Sequence, residues 1–230
     1  MIRFVPVMVA MGFVLVAGCA TGPHDYGVFL EHMPKSILVL PPLNRSTEVL
    51  ASNAFLSTVT RPLARSGYYV FPVAVVDAMM KENGLPTAGE MHQVPLEKLA
   101  EVFGADAVLY VVIMDWRQQY LVVSSKTTVT IEYRLVDLHS GKLLWHTTQT
   151  ASNGQGGLSI SGVIEAAVHA AISAATDQAR DLAARANTAA FGDGRRGLLL
   201  GRRHPGFNED QKQRRQQQEQ LEQAKPQTRS

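Results

Sequence analysis

The sequence predicts an α/β protein, with a mixed sheet of about five strands and helices packed mainly on one face. Residues 107–114 form a continuous apolar run, which is typical of a strand covered on both faces. Residues 128–135 alternate apolar and polar side chains, as a half-buried antiparallel strand does. A hydrophobic fraction of 46% is sufficient for a core around such a sheet.

The first half of the domain is predicted to alternate short strands with helices. A pair of prolines ends the first apolar run, because proline cannot donate to a ladder. Ser46 or Thr47 is expected to cap the helix that follows, and Pro62 predicts a kink or an early end in it. The predicted elements are a strand at 36–40, a helix at 49–65, a strand at 68–71 and helices at 75–81 and 95–103.

The second half is predicted to contain a hairpin, a long helix and a polar tail. The alternating strand turns at Asp137–Lys142, where Gly141 is expected to adopt a positive φ, and returns over 143–150. A glycine-rich break and an alanine-rich helix at 160–190 follow. We divide the chain into a signal peptide (1–18), a tether (19–35), an α/β domain (36–191), a basic segment (192–207) and a disordered or solvated helical tail (208–230).

Cys19 is the only cysteine in the chain, and it follows Arg3, an apolar stretch at 5–16 and a small-residue cleavage site. A cysteine directly after such a site is typical of a bacterial lipoprotein signal peptide. A transmembrane helix would need roughly 20 apolar residues, and an ordinary buried thiol would explain nothing upstream of it. We therefore expect Cys19 to carry a lipid. Ala20, rather than an aspartate, favours the outer membrane, facing the periplasm.

The sequence indicates no catalytic, metal or cofactor site. The GxGxxG pattern at 192–197 follows a helix, whereas a dinucleotide site needs it after a strand. His139 and His146 could face each other across the hairpin, but a metal site would need a third ligand. A formal net charge of +2 is too small to indicate nucleic acid or a strongly acidic partner. We therefore expect a protein that is not an enzyme.

Two stretches outside the predicted core are candidate contact surfaces. An apolar run with no obvious place in a small core predicts a homo-oligomer through residues 118–125: Tyr120, Leu121, Val122 and Val123. Four arginines in the tail could contact phosphate head groups or could simply be solvated: Arg195, Arg196, Arg202 and Arg203. Three leucines between them are expected to dock onto their own domain or onto a partner: Leu198, Leu199 and Leu200.

Several motifs recur together with the lipoprotein signal: SILVLPPLNRS (36–46), GADAVL (104–109), DLHSGKLLW (137–145) and GLLLGRRHP (197–205). This combination resembles a family of bacterial outer-membrane lipoproteins of unknown function. The domain is similar to the N-terminal domain of TolB and to the curli-secretion lipoprotein CsgG. The resemblance implies an α/β fold, no known catalytic residues and partners among other envelope lipoproteins, CsgG-like ones included. Unlike CsgG, the sequence suggests no pair of long inserted amphipathic strands able to span a membrane, so a self-sufficient pore is not expected.

The expected lipid on Cys19, the predicted α/β domain and the family resemblance together predict a lipid-anchored periplasmic interaction module. It would be an accessory of an envelope assembly, secretion or transport complex. The alternatives are a regulator of a periplasmic cell-wall enzyme and a carrier of a small apolar ligand. A carrier requires a sizeable apolar pocket. A docking module requires an exposed apolar patch or an open strand edge.

Overall fold

A computed structural model describes residues 25–121, 124–152, 180–192 and 197–224. Its strands are β1 (Ser36–Val39), β2 (Leu43–Asn44), β3 (Tyr69–Val70), β4 (Ala107–Leu121), β5 (Ser124–Asp137) and β6 (Leu143–Ser152). Its helices are α1 (Gly27–His32), α2 (Ala51–Arg65), α3 (Val73–Glu82), α4 (Ala88–Met91), α5 (Leu96–Phe103), α6 (180–191) and α7 (Phe207–Ala224). The predicted class, α/β with a mixed sheet, is confirmed.

The six strands form one sheet in the order β3-β1-β4-β5-β6, and β2 also pairs with β4. The strands β3, β1 and β4 are parallel, whereas β4, β5 and β6 are antiparallel. The short strands β1 and β2 follow each other along one side of β4, where Leu38 pairs with Val108 and Leu43 with Val112. The two prolines predicted to end the first strand lie between them.

The β4–β5 hairpin is longer than predicted. β4 continues beyond Met114 to Leu121, and the pairing with β5 extends to Leu121 opposite Ser124. A register shift interrupts the ladder between Ile113 and Asp115. Several side chains of the extension are polar, which disfavours a prediction of strand. Its backbone N–H and C=O groups are nevertheless satisfied by pairing with β5. The chain therefore does contain a pair of long strands, and the expectation that it lacks a strand pair able to span a membrane stays a prediction.

Helices pack against both faces of the sheet. The first face, covered by α1, α2 and α6, holds the larger core, which includes Phe55, Leu109 and Trp145. The second face is covered by α3, α4 and α5, whose Met80 and Leu99 pack against β1 and the start of β4. Alternate residues of β1 supply both layers. The helices are thus less one-sided than predicted, although the larger core does lie on one face.

Both ends of the described chain belong to the domain. Tyr26 and Phe29, in the expected tether, are 2% and 1% exposed and join the first-face core. The Tyr26 hydroxyl donates to the Gly197 carbonyl over 2.6 Å, and the Tyr26 N–H donates to Gln218 Oε1 over 3.3 Å. The guanidinium of Arg214 lies 5.2 Å from the centre of the Tyr26 ring. Residues 25–35 are therefore more than a tether.

The tail forms α7 up to Ala224, and its first turns are packed rather than solvated. Asp210 is 9% exposed, accepts the Leu200 N–H over 3.0 Å and lies 3.4 Å from the side chain of Arg214. This pairing lets a polar helix bury charged groups. The described part of 208–230 is helical, which is one of the two predicted alternatives, and most of its side chains are exposed, whereas Asp210, Gln211 and Arg214 are buried.

Several local predictions can be compared directly with the structure. α2 continues through Pro62 to Arg65, and its N-cap is Leu50 without a side-chain bond, so the predicted caps Ser46 and Thr47 are wrong. α5 ends at Gly104, and Gly141 has a φ of 69°, as predicted. Among the described helices, none combines the length and the apolarity needed to cross a membrane.

Candidate docking surface

The second face of β4 carries apolar side chains that no described residue covers completely. Val108 is buried beneath α3–α5, but Tyr110 and Val112 are half-buried and Met114 is 41% exposed. The sequence predicted a strand covered on both faces. The helices of the second face are short and reach only the start of β4, so this prediction is wrong beyond Val108. Apolar groups left open on one side of a sheet are typical of a contact surface.

A groove of about 510 Å³ lies over Tyr110 and Val112, next to Met114 in the chain, and we call it the second-face groove. Its floor is formed by β4 and β5, and its walls by the residues after β2, by α4–α5 and by the β5–β6 turn. It is lined by Leu43, Arg45, His92, Leu96, Tyr110, Val112, Glu132, Arg134, Val136, Gly141 and Leu143. The groove is open to solvent and mixes apolar with charged side chains.

Strand register explains how charges come to lie on an apolar floor. Tyr110 of β4 pairs with Arg134 of β5, and Val112 pairs with Glu132. Within the described parts of the chain, Arg134, Glu132 and the nearby Arg45 form no salt bridge and no side-chain hydrogen bond. A guanidinium has a fixed fork of donors that matches a carboxylate. The groove can therefore bind both apolar and charged groups of a partner.

His92 forms a fixed wall of the groove. Its Nε2 donates to the Pro41 carbonyl over 2.8 Å, and its ring meets that of Tyr110 at 73° with the centroids 5.2 Å apart. Burial lowers the pKa of His92, although the bond to Pro41 acts in the opposite direction. Burial also raises the pKa of Tyr110, against the effect of the Arg134 charge. Both rings are therefore neutral near pH 7.

A second groove, of about 370 Å³, lies between α2 and α6 and includes Arg61 and Arg65. The side chains behind it are linked by hydrogen bonds. The Tyr133 hydroxyl donates to Asn187 Oδ1 over 2.7 Å, and Asn187 Nδ2 donates to Thr58 Oγ1 over 3.0 Å. Burial raises the pKa of Tyr133 far above its ordinary value. This groove is also open, and its exposed charges are positive.

Residues 24–203 match the model of the family described as putative lipoprotein GNA1162-like. The chain belongs to this lipoprotein family. It is 43% identical over 148 residues to the putative lipoprotein NMB1124/NMB1162 of Neisseria meningitidis serogroup B, covering 64% of this chain and 68% of the relative. The crystal structure of lipoprotein GNA1162 from Neisseria meningitidis has 38% identity and a TM-score of 0.51, covering 64% of this chain and 99% of that one.

A more distant likeness is to a PelC dodecamer from Paraburkholderia phytofirmans, with 18% identity and a TM-score of 0.43, over 73% of this chain and 93% of that one. A likeness this weak gives no information about the function of the GNA1162-like chain. Family membership confirms the predicted lipoprotein class. The resemblance to TolB and CsgG stays a prediction.

Several of the predicted sites of this GNA1162-like chain lie outside the described residues: Cys19, Val122, Val123, Arg195 and Arg196. Tyr120 and Leu121 end strand β4, and their side chains also lie outside the described part. The predicted oligomer contact therefore remains a prediction.

The described part of the tail decides between two of the predicted alternatives. Leu198 and Leu199 are 1% and 0% exposed and belong to the first-face core, so they dock onto their own domain and are not available to a partner. Leu200 is half-buried. Arg202 and Arg203 are exposed, and the guanidinium of Arg203 lies 5.9 Å from the centre of the Tyr69 ring.

Metal-binding side chains do not converge in the parts of the chain that the structure describes, where no group of three histidine, cysteine, aspartate or glutamate residues is found. The hairpin histidines, His139 and His146, thus have no third ligand among those residues.

The sequence analysis missed the second-face groove. Glu132 and Arg134 fall on the polar side of an alternating strand, which normally faces solvent. Tyr110 and Val112 fall in a run that suggested full burial. The groove is indicated by apolar residues of β4 that pair with charged residues of β5. This pairing can be recognised only once the β4–β5 register is known.

Proposed function

We propose that this lipoprotein is a non-enzymatic docking module, anchored in the outer membrane through Cys19 and facing the periplasm. It would bind another envelope component through the second-face groove. The observation that carries the proposal is the row of uncovered apolar residues on β4 beside charged groups that have no described partner: Tyr110, Val112, Met114, Arg45, Glu132 and Arg134.

The chemistry of the groove favours a polypeptide segment as the occupant. Burying the exposed parts of Met114 and Leu143, which are 41% and 42% exposed, contributes free energy at roughly 25 cal/mol per Å² of apolar area. Arg134 and Arg45 favour a carboxylate, and Glu132 favours a cation. A partner segment with alternating apolar and charged residues would satisfy these preferences together.

Anchoring is supported by family membership and by the lipoprotein signal at Cys19. The absence of an aspartate after the cysteine supports the outer membrane. We infer that the module serves an envelope assembly, secretion or transport complex, and that a cell-wall enzyme is the alternative partner. A carrier of apolar ligands is disfavoured because both described grooves are open and carry charges.

Site-specific photocrosslinking in intact cells tests this proposal. A photoreactive amino acid is placed at Met114 or Leu143 of the full-length lipoprotein, and at Val75 on α3 as a control of similar exposure, at 60%. We expect Met114 and Leu143 to capture the same protein, and Val75 not to capture it. Arg134→Glu should reduce the yield at least roughly tenfold, which corresponds to about 1.4 kcal/mol.

Mass spectrometry then identifies the captured protein. A cell-wall synthase would support the regulator alternative, and a second copy of this chain would place the oligomer contact at the groove. Equal capture from Val75, or a yield that Arg134→Glu leaves unchanged, would contradict the assignment of the groove as the docking site.

A further inference from the structure

We propose that a cluster of arginines at the β3 edge of the sheet lies against anionic phospholipid head groups of the anchoring bilayer. We call this cluster the basic rim: Arg61, Arg65, Arg202 and Arg203. The inference rests on the proposed lipid anchor. It adds an orientation of the domain, in which the second-face groove points away from the membrane.

Two distant parts of the chain meet to form the basic rim. Arg61 and Arg65 lie one turn apart on α2, are exposed and line the groove between α2 and α6. Ser66, directly after Arg65, accepts the N–H of Gly201 through its carbonyl over 2.7 Å. Arg202 and Arg203 follow Gly201 and are also exposed. The backbone contact therefore places two pairs of arginines side by side.

The composition of the rim suits a membrane surface. Tyr69, which is 44% exposed, lies under the guanidinium of Arg203, and aromatic rings beside cations are common where proteins meet lipid head groups. α2 contains no acidic residue. On α6 the exposed acid is Asp181, and on α7 the exposed acids are Glu209, Glu219 and Glu222. α6 adds two further exposed arginines, Arg180 and Arg185, so positive charge prevails.

The path of the chain brings this side close to the anchor. Asp25 follows Cys19 by six positions, a span of at most about 20 Å. Tyr26 is hydrogen-bonded to the carbonyl of Gly197. From Gly197 the chain reaches Gly201, at the rim, within four residues, or at most about 14 Å. The anchor therefore enters the domain near the basic rim, and positive charges near an anionic leaflet are attracted to it.

Energy transfer in proteoliposomes tests the orientation of the full-length lipidated protein. The only native cysteine is Cys19, whose thiol is blocked by the proposed lipid, so a donor dye can be attached at a new cysteine, Ser57→Cys beside the basic rim. The control position is Lys81→Cys on α3. The acceptor is a lipid labelled on its head group, in vesicles of phosphatidylcholine with or without phosphatidylglycerol.

We expect transfer from residue 57 to be about twice as efficient as transfer from residue 81 when phosphatidylglycerol is present. The difference should shrink at about 1 M salt, where the Debye length is about 3 Å. Arg61→Glu with Arg65→Glu should abolish it. The matched pair Arg45→Glu with Arg134→Glu, in the second-face groove, should leave it intact.

Equal transfer from both positions, or an unchanged difference after reversal of Arg61 and Arg65, would overturn the inference. A protein that does not associate with vesicles at all would refute the lipid anchor itself, and with it the proposed function. A protein that associates but shows no preferred orientation refutes only the basic rim. Unchanged thermal unfolding midpoints show that the charge-reversed variants are folded.

Discussion

The backbones of Gly67 and Gly201 are in direct contact, at the point where the C-terminal segment crosses the end of α2. A Cβ atom on Gly201 would lie 2.6 Å from the carbonyl oxygen of Gly67, closer than real Cβ atoms come. Gly67 itself has a φ of 89°, which favours glycine. This close approach lets the Gly201 N–H donate to the Ser66 carbonyl over 2.7 Å, which ties residues 198–201 to the end of α2.

Gly201→Ala is therefore expected to destabilise the domain by about 2 kcal/mol, because the new methyl group forces two backbones apart. Urea unfolding of the full-length protein measures the change. Gly206→Ala is the matched control, since its nearest neighbours are side-chain atoms of His204 at 3.3 Å and beyond. The close-contact interpretation fails if both variants unfold at the same urea concentration.

The β5–β6 turn requires a glycine at position 141. Gly141 has a φ of 69°, which a β-branched residue adopts only with strain. We expect Gly141→Val to cost about 1 kcal/mol or more, measured as a shift of the urea midpoint. Gly89→Val is the control, because Gly89 has no positive φ and its only neighbour within 4 Å is Thr87 Oγ1, at 3.8 Å. A midpoint shift at position 89 as large as that at position 141 would count against the turn requirement.

His92 gives the fold a dependence on pH. Burial lowers its pKa in the folded protein, whereas the unfolded chain has an ordinary value of about 6.5. The unfolded state then binds the proton more tightly, so stability is complete above about pH 6.5 and falls as the pH drops through it. His92→Gln should flatten this fall while keeping a donor for Pro41. His139→Gln, at an exposed turn, should not. Urea midpoints between about pH 7.5 and 5.5 would show the same slope in all three proteins if His92 plays no part.

Lipid attachment is predicted at a single residue, Cys19, whose thiol carries a diacylglyceryl group and whose freed amine is acylated. Cys19→Ser removes the only thiol of the chain. We expect the variant to incorporate no radiolabelled palmitate and to escape normal processing, while Ala20→Ser, next to it, is labelled like the native protein. Equal labelling of Cys19→Ser and the native protein would refute the assignment.

Self-association is predicted at the end of the long β4–β5 hairpin. Leu121 ends β4, and Val123 lies just before β5. We expect Leu121→Glu with Val123→Glu to convert a homo-oligomer into a monomer without unfolding it, because like charges would face each other across the contact. Analytical ultracentrifugation of the detergent-solubilised protein measures this. A native protein that already sediments as a monomer at high micromolar concentration contradicts the prediction.

The elements that could be predicted are those whose signals are local. The start of β1, the end of α5 at Gly104 and the turn at Gly141 each depend on residues within a few positions. The extension of β4 beyond Met114 could not be predicted in this way. It mixes polar residues with Trp116, Tyr120 and Leu121 in no clear alternation, and it pairs with β5 along its length. Pairing, rather than propensity, decides that segment.

The docking of Leu198 and Leu199 marks another limit of sequence analysis. Three leucines between basic residues indicate burial, but their partners, such as Tyr68, are more than a hundred positions away. The same holds for the second-face groove. Arg45 and Arg134 line the same groove because β2 and β5 lie on either side of β4. Long-range contacts of this kind can be predicted only when the order of the strands in the sheet is already known.

The bond from Tyr26 to Gly197 also constrains the timing of folding. Tyr26 is among the first residues of the domain to be synthesised, yet its partners, Gly197 and Gln218, are among the last. Tyr26 therefore cannot form these two bonds until nearly all of the domain has been made. Burial of its ring is then one of the last steps in completing the first-face core.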